Sequence, residues 1–436
     1  MMALRFSVEG AIATLTPDER IAMRDRGLAA VAGLREEVAA IIGRVRRDGD
    51  QALREMAREF DRVELERFEV PAAEWHEALD RLDRPLVRAL ERARDSIACA
   101  HSAWLPSTIE VETEPGVIVG RRADALSRVG VYAPGGRAAY PSSVLMGLVP
   151  ARVAGVGERI LCSPPRADGR PAPVVLAAAV LGGADRVFAL GGAGAIAAMA
   201  YGTASVPRVD RIVGPGNAWV AEAKAQIAGT VGIDSPAGPS ELLVIWDGSS
   251  PAAGIAREML AQAEHDPEAA VVAVLLPDAS ALELAEALAA QLVSAPRGEV
   301  ARQALASRGA LLTANSVEEA VGFAAEWAPE HLLLAVQSPE ALLPDIRNAG
   351  TIFVGATSSV AFGDYVTGAN HVLPTGGAAR AYSGLSTLDF MRWTTYQRID
   401  RRAAAALAEP AGVLADAEGL PGHAAAARAW AAEVTL

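Results

Sequence analysis

The stretch Arg186-Val-Phe-Ala-Leu190-Gly191-Gly192-Ala193-Gly194-Ala195-Ile196-Ala197 decides the fold, because a short apolar run ends in paired glycines and passes at once into alanine-rich sequence. Strand, tight turn and helix in that order open a crossover unit, and the glycines formally match G-x-G-x-x-A. The same grammar repeats on both sides. Short apolar runs at 129–133, 159–162, 211–213 and 242–246, then at 269–276, 310–313, 331–336 and 351–354, alternate with helical stretches. The expectation is an α/β chain with two Rossmann-like parallel-sheet domains, a helical N-terminal segment and a helical C-terminal arm.

Working outward, residues 17–94 are charged, with Val31, Leu34, Val38, Ile41, Ile42 and Val45 on one helical face. Alternation at 108–113 and 117–119 predicts two short strands opening a mixed sheet. The tail from Asp389 to Ala417 reads as helical and precedes a Gly-Leu-Pro-Gly turn. These limits give an N-terminal helical segment (1–105), an α/β domain in two pieces (106–130 and 238–385), a Rossmann-like domain between them (131–237) and a C-terminal arm (386–436). No period of 20 to 50 residues marks a solenoid.

Composition narrows the function. Hydrophobic residues at 51% and charged ones at 21% exclude a wholly disordered chain. Forty Lys+Arg against 53 Asp+Glu give −13, a field that repels nucleic-acid backbones and anionic lipid. Two cysteines, Cys99 and Cys162, build neither a disulfide framework nor a thiolate zinc site. The longest nearly apolar stretches fall short of the ~18 to 20 residues that span a bilayer. The start lacks the apolar core of a secretory signal, so a soluble cytoplasmic protein without nucleic-acid or membrane partners is expected.

Four of the six histidines, His265, His331, His371 and His423, fall in the second half. Gln262 and His265 stand at i, i+3 near a helix end, where they could bind one metal ion together or serve as ordinary polar residues favoured by the helix dipole. Glu330-His331 is either the start of a helix after Pro329 or an acid/base pair able to activate water. Glycine, aspartate, asparagine and histidine crowd the loop from Phe362 to Gly377, and its Asp364 is a turn former or a ligand. Gln262, His265, Asp364 and His423 could complete an N2O2 set suited to zinc. Glycine-rich turns after 133, 190 and 213 would line one cleft if they met at one sheet edge, with backbone amides free for phosphate oxygens.

In combination the chain resembles the histidinol dehydrogenases. The segments that carry the resemblance are Arg128-Val-Gly-Val-Tyr132-Ala-Pro-Gly-Gly136, Val213-Gly-Pro-Gly-Asn217-Ala-Trp-Val220, Pro236-Ala-Gly-Pro-Ser240-Glu241, Gln262-Ala-Glu-His265, Ala328-Pro-Glu330-His331, Gly363-Asp364-Tyr365 with Asn370-His371-Val-Leu-Pro374, and Glu418-Gly-Leu-x-x-His423. They span residues 128 to 423, in the family's order.

The resemblance implies oxidation of L-histidinol through histidinal to histidine with two NAD+ reduced. It implies zinc held by Gln262, His265, Asp364 and His423, with Glu330 and His331 as acid/base residues. Ser240, His371 and Glu418 would contact substrate, as would His331 and the zinc ligands. Tyr132, Asn217 and the position of Gly194 would serve NAD. The arm would lend Glu418 and His423 to a neighbouring subunit, which makes a homodimer. Gly194 departs from the glutamine usual in the family, and the 375–384 stretch also differs from some members. A paralogue acting on another small alcohol, such as sulfopropanediol, is the enzymatic alternative, and a metal-binding regulatory protein the non-catalytic one. A cationic substrate calls for carboxylates such as Glu418, whereas a sulfonate calls for arginine.

Overall fold

The computed structural model describes residues 4–26, 33–135, 139–235 and 238–432. Val31, Gly136, Pro236 and Ala237, which belong to stretches quoted above, lie outside the described residues. The chain divides into two compact units, one of Met1–Ala103 with Leu126–Phe390 and the other of Trp104–Ala125 with Met391–Leu436.

Fourteen strands are described: β1 (Val8–Ala11), β2 (Ile109–Glu114), β3 (Val117–Ala125), β4 (Arg128–Tyr132), β5 (Glu158–Ser163), β6 (Arg186–Ala189), β7 (Arg211–Val213), β8 (Gly232–Ile233), β9 (Glu241–Trp246), β10 (Ala270–Leu275), β11 (Ala310–Thr313), β12 (His331–Ala335), β13 (Thr351–Val354) and β14 (Met391–Ile399). The first unit contains both expected parallel sheets, ordered β6-β5-β4-β7-β8 and β1-β11-β10-β9-β12-β13. Counted from its first crossover strand, each sheet runs 3-2-1-4-5, the doubly wound order. Helices cover both faces of such sheets, so the central strands are apolar throughout. Every residue of β9 and of β10 is buried.

In the N-terminal region, Leu34, Val38, Ile42 and Val45 form the buried stripe of the Leu34–Asp48 helix and join the five-stranded sheet's core with Met56 and Phe68. That core includes the Gly192–Tyr201 helix, which is buried from Ala193 to Ala200. Phe188 and Trp246 are among the largest fully buried side chains, each contributing roughly 1.5–3 kcal/mol by leaving water.

Three local expectations are corrected. The N-terminal segment is not helical throughout, because β1 pairs in parallel with β11 at the sheet edge. Four residues are too short to show a period, and a short strand blunts an otherwise open edge. The strands before Ala125 do not open a mixed sheet; β2 and β3 form an antiparallel sheet with β14 in the second unit. The tail turns helical only at Arg401–Ala417, since Trp393, Thr394, Thr395, Tyr396 and Ile399 favour an extended chain over the preceding nine residues. A further helix, Pro421–Ala432, completes that unit. Among the described residues no helix is long and apolar enough to cross a membrane.

Candidate functional site

Two constellations form in the first unit, at opposite kinds of strand end. Glu330 and His331 stand at the amino end of β12, beside the amino end of β9. Pro329 does not start a helix: the Val317–Trp327 helix ends on Ala328 in a left-handed conformation, and His331 begins β12. Parallel pairing sets His331 opposite Leu242, beside Ser240 and Glu241.

His331 is buried, and its Nδ1 lies 2.8 Å from the Glu241 carbonyl oxygen. A carbonyl only accepts, so Nδ1 carries a hydrogen and Nε2 is the ring nitrogen that gains or loses a proton. Nε2 has no hydrogen-bond partner and stands 3.5 Å from an Asp364 carboxylate oxygen. Burial favours the neutral ring, but Glu330, 3.3 Å away, and Asp364 outweigh it and hold the imidazole well above its ordinary value. Glu330 is fixed by two donors to one oxygen, the Ser240 hydroxyl and the Glu241 backbone N–H, each at 2.7 Å. Ser240 therefore positions the Glu330 carboxylate.

Asp364 does not sit in a loop; it belongs to the short Val360–Tyr365 helix. Burial opposes its ionisation, yet His331, His371 and His265 around it keep the carboxyl below its usual range. Its carbonyl oxygen accepts from His371 Nδ1 at 2.7 Å, and His371 Nε2 in turn accepts from the Ser143 hydroxyl at 3.1 Å. Burial outweighs the nearby carboxylates and lowers the His371 pKa. Gln262 ends the Ala252–Ala263 helix, and His265 follows two residues past it, exposed. Gln262 is 2% exposed with neither amide oxygen nor nitrogen partnered. An orphaned buried amide is costly unless something outside the chain satisfies it.

Among the described residues no group of three or more His, Cys, Asp or Glu is placed to hold a metal ion. A metal here would draw on the Gln262 amide, Asp364 and His265, together with donors from elsewhere. Oxygen and imidazole donors with one orphaned amide fit zinc. Glu418 and His423 belong to the second unit, where both are exposed.

Sequence reasoning missed the support beneath this site. Glu241, buried at the start of β9, receives Arg26 Nε at 2.9 Å and Nη2 at 3.0 Å, and also the Gly376 N–H at 2.7 Å. The Arg26 guanidinium lies 3.7 Å from the centre of the Trp327 ring. A carboxylate opening an otherwise apolar strand was the available signal, since such a charge needs a partner. Nothing in the spacing announced Ser143.

The second constellation gathers at the carboxyl ends of β4, β6 and β7. Tyr132 is buried, and its hydroxyl oxygen accepts the Gly192 N–H at 3.0 Å. Burial pushes the phenol up to about 12, so it stays protonated and can donate. Gly192 has φ +60, and a Cβ there would meet open space. Asn217 caps the Ala218–Ile227 helix, its side-chain oxygen accepting the Val220 N–H at 3.2 Å. Two helix starts and an open glycine at neighbouring strand ends suit a dinucleotide's phosphates. Gly194 faces away from open space: a Cβ there would lie 3.0 Å from the Met56 sulfur, so the N-terminal helices occupy that position.

The comparisons agree with this geometry. The histidinol dehydrogenase family model matches residues 25–430. The chain is 49% identical over 416 residues to a histidinol dehydrogenase of Halobacterium salinarum, covering 95% of this chain and 97% of the relative. It is 46% identical over 412 residues to one from Methanosarcina mazei, covering 94% of each. The crystal structure of histidinol dehydrogenase from Elizabethkingia anophelis superposes with a TM-score of 0.94 at 31% identity, covering 99% of this chain and 100% of the other. With matching sequence and fold, the chain belongs to the histidinol dehydrogenase family.

Proposed function

We propose that this protein is a zinc-dependent histidinol dehydrogenase, oxidising L-histidinol through histidinal to L-histidine with two NAD+. The observation that carries the proposal is the His331 ring, whose Nδ1 is engaged by the Glu241 carbonyl and lies 3.3 Å from Glu330, while Nε2 is unpartnered and stands 3.5 Å from Asp364. Gln262, His265, Asp364 and, from a second copy, His423 hold zinc. When bound, NAD supplies the hydride acceptor for both oxidations, and zinc, which has no redox chemistry, supplies a Lewis-acidic anchor for substrate nitrogens.

In the first oxidation His331 Nε2 takes the hydroxyl proton of the alcohol. Were a cation to engage the Asp364 carboxylate, Asp364 would no longer raise the basicity of His331, and the ring would be free to accept a proton near neutral pH. In the second oxidation Glu330 takes a proton from the water that adds to the aldehyde. Its second oxygen is free of the Ser240 and Glu241 donors and is the basic atom. Holding the aldehyde between the two oxidations prevents its escape.

Tyr132 and Asn217 hold the cofactor within residues 131–237, and Ser240, His371 and Glu418 contact substrate. Glu330, Asp364 and Glu418 suit a cationic amino alcohol. Exposed Val413, Leu414, Leu420 and Trp430 on the second unit support a homodimer with a shared site. Two free cysteines suit the cytoplasm.

The test is stoichiometric. Zinc-loaded protein with L-histidinol and NAD+ gives about two NADH per histidine, exhaustive chelation abolishes turnover, and zinc restores it. Absence of NADH from the metal-replete protein overturns the proposal.

A further inference from the structure

Lys224 is the single lysine of the chain; every other Lys/Arg position carries arginine. It is also one of the most buried charges, with 4% of its side chain exposed, and it pairs with Asp234, 3% exposed. It lies on the Ala218–Ile227 helix, and its Nζ donates to the Gly214 carbonyl at 3.0 Å. Asp234, just past β8, accepts the Gly214 N–H at 2.7 Å. The ion pair therefore grips both polar groups of one residue.

That residue is the pivot of the cofactor cleft. Gly214 has φ +118, and a Cβ there would stand 2.1 Å from the Tyr132 carbonyl oxygen, so backbone lies directly on backbone. Tyr132 reaches on to the Gly192 amide, while three residues beyond Gly214 the chain arrives at Asn217. The clamp thus joins all three strand-end turns. A compact ammonium on a long stem reaches the carbonyl and carboxylate together in this buried space, where a planar guanidinium needs wider acceptor geometry.

We propose that Lys224, with Asp234, is a positioning residue for the dinucleotide: it fixes the Gly214–Asn217 turn and Tyr132 in the arrangement that receives NAD. The proposal rests on the cofactor assignment above and deepens it.

The test compares Lys224→Arg with the double variant Lys224→Met/Asp234→Asn, in which no buried charge is orphaned and the Gly214 N–H keeps an acceptor. The NAD+ dissociation constant is measured by calorimetry on zinc-loaded dimer, with the L-histidinol dissociation constant, zinc content and melting temperature as controls. Both variants are expected to bind NAD+ about tenfold or more weakly, with histidinol affinity and zinc content unchanged. The KM for NAD+ should rise more than kcat falls. NAD+ affinity equal to the parent in either folded variant overturns the proposal. So does loss of cooperative melting in both, which makes the pair a general core element. If the parent itself shows no NAD+ binding, the cofactor assignment fails instead.

Discussion

The Nδ1 of His331 and the backbone oxygen of Glu241 lie 2.8 Å apart, and this contact decides which ring nitrogen can act as base. Replacing His331 with asparagine removes the base and keeps a side chain able to donate to that oxygen. The expected loss is about 10²–10⁴ in kcat with zinc content unchanged, read by NADH formation and metal analysis. Unaltered turnover would exclude His331 from proton transfer.

Glu330→Gln should separate the two oxidations. Glutamine still accepts from Ser240 and from the Glu241 N–H, yet it cannot take a proton from water. Single-turnover NADH should fall from about two equivalents toward about one, with aldehyde trapped at the site. A proportional loss of both steps would argue that Glu330 serves positioning alone.

Gln262 offers a test with opposed readouts. Its amide is buried and unpartnered in the chain, so Gln262→Leu should leave the metal-free protein equally stable or more stable by about 1 kcal/mol in urea denaturation. Zinc affinity should fall tenfold or more, measured by competition with a chelator. Undiminished zinc affinity would remove Gln262 from the ligand set.

Arg26 and Glu241 are a buried ion pair, 4% and 1% exposed. Arg26→Leu orphans the Glu241 charge and should cost about 3–5 kcal/mol of unfolding free energy. Activity should drop with it, because Glu241 supplies both the carbonyl that orients His331 and the N–H that holds Glu330. A full-strength melt would show that Glu241 finds other donors.

Asp61 ends the Ala57–Asp61 turn, and burial pushes its carboxyl from 3.8 up to about 6. Between these values the folded chain holds more proton than the unfolded one, so this group makes stability fall as pH rises from about 4 to about 6. Asp61→Asn should raise the urea midpoint at pH 7.5 and leave it unchanged at pH 3.5. An equal effect at both values would assign the gain to packing.

The parallel strands were legible in the sequence because a strand hidden on both faces prints as an unbroken apolar run, as β9 and β10 do. β1 was not, being too short to carry a pattern, and β14 was masked by the helix-forming residues after it. Glu330, His331, Asp364 and Gln262 were identifiable as residue types in motifs. Their supporting partners were not: Ser143 and His371 are 228 positions apart, and Arg26 and Glu241 are 215 apart. Spacing along one chain holds no record of such pairings. Gly194 was visible as a departure, but the Met56 sulfur packed against it was not.

Two sheets that share the order 3-2-1-4-5 present opposite rims, the glycine-rich turns following β4, β6 and β7 while Glu330 and His331 stand at the amino end of β12. Under the proposed function, coenzyme preference and alcohol preference rest on different sets of loops and can change independently. The Ser143 hydroxyl, carried on the crossover out of β4 yet bonded to His371, is one place where one adjustment would be felt by the other.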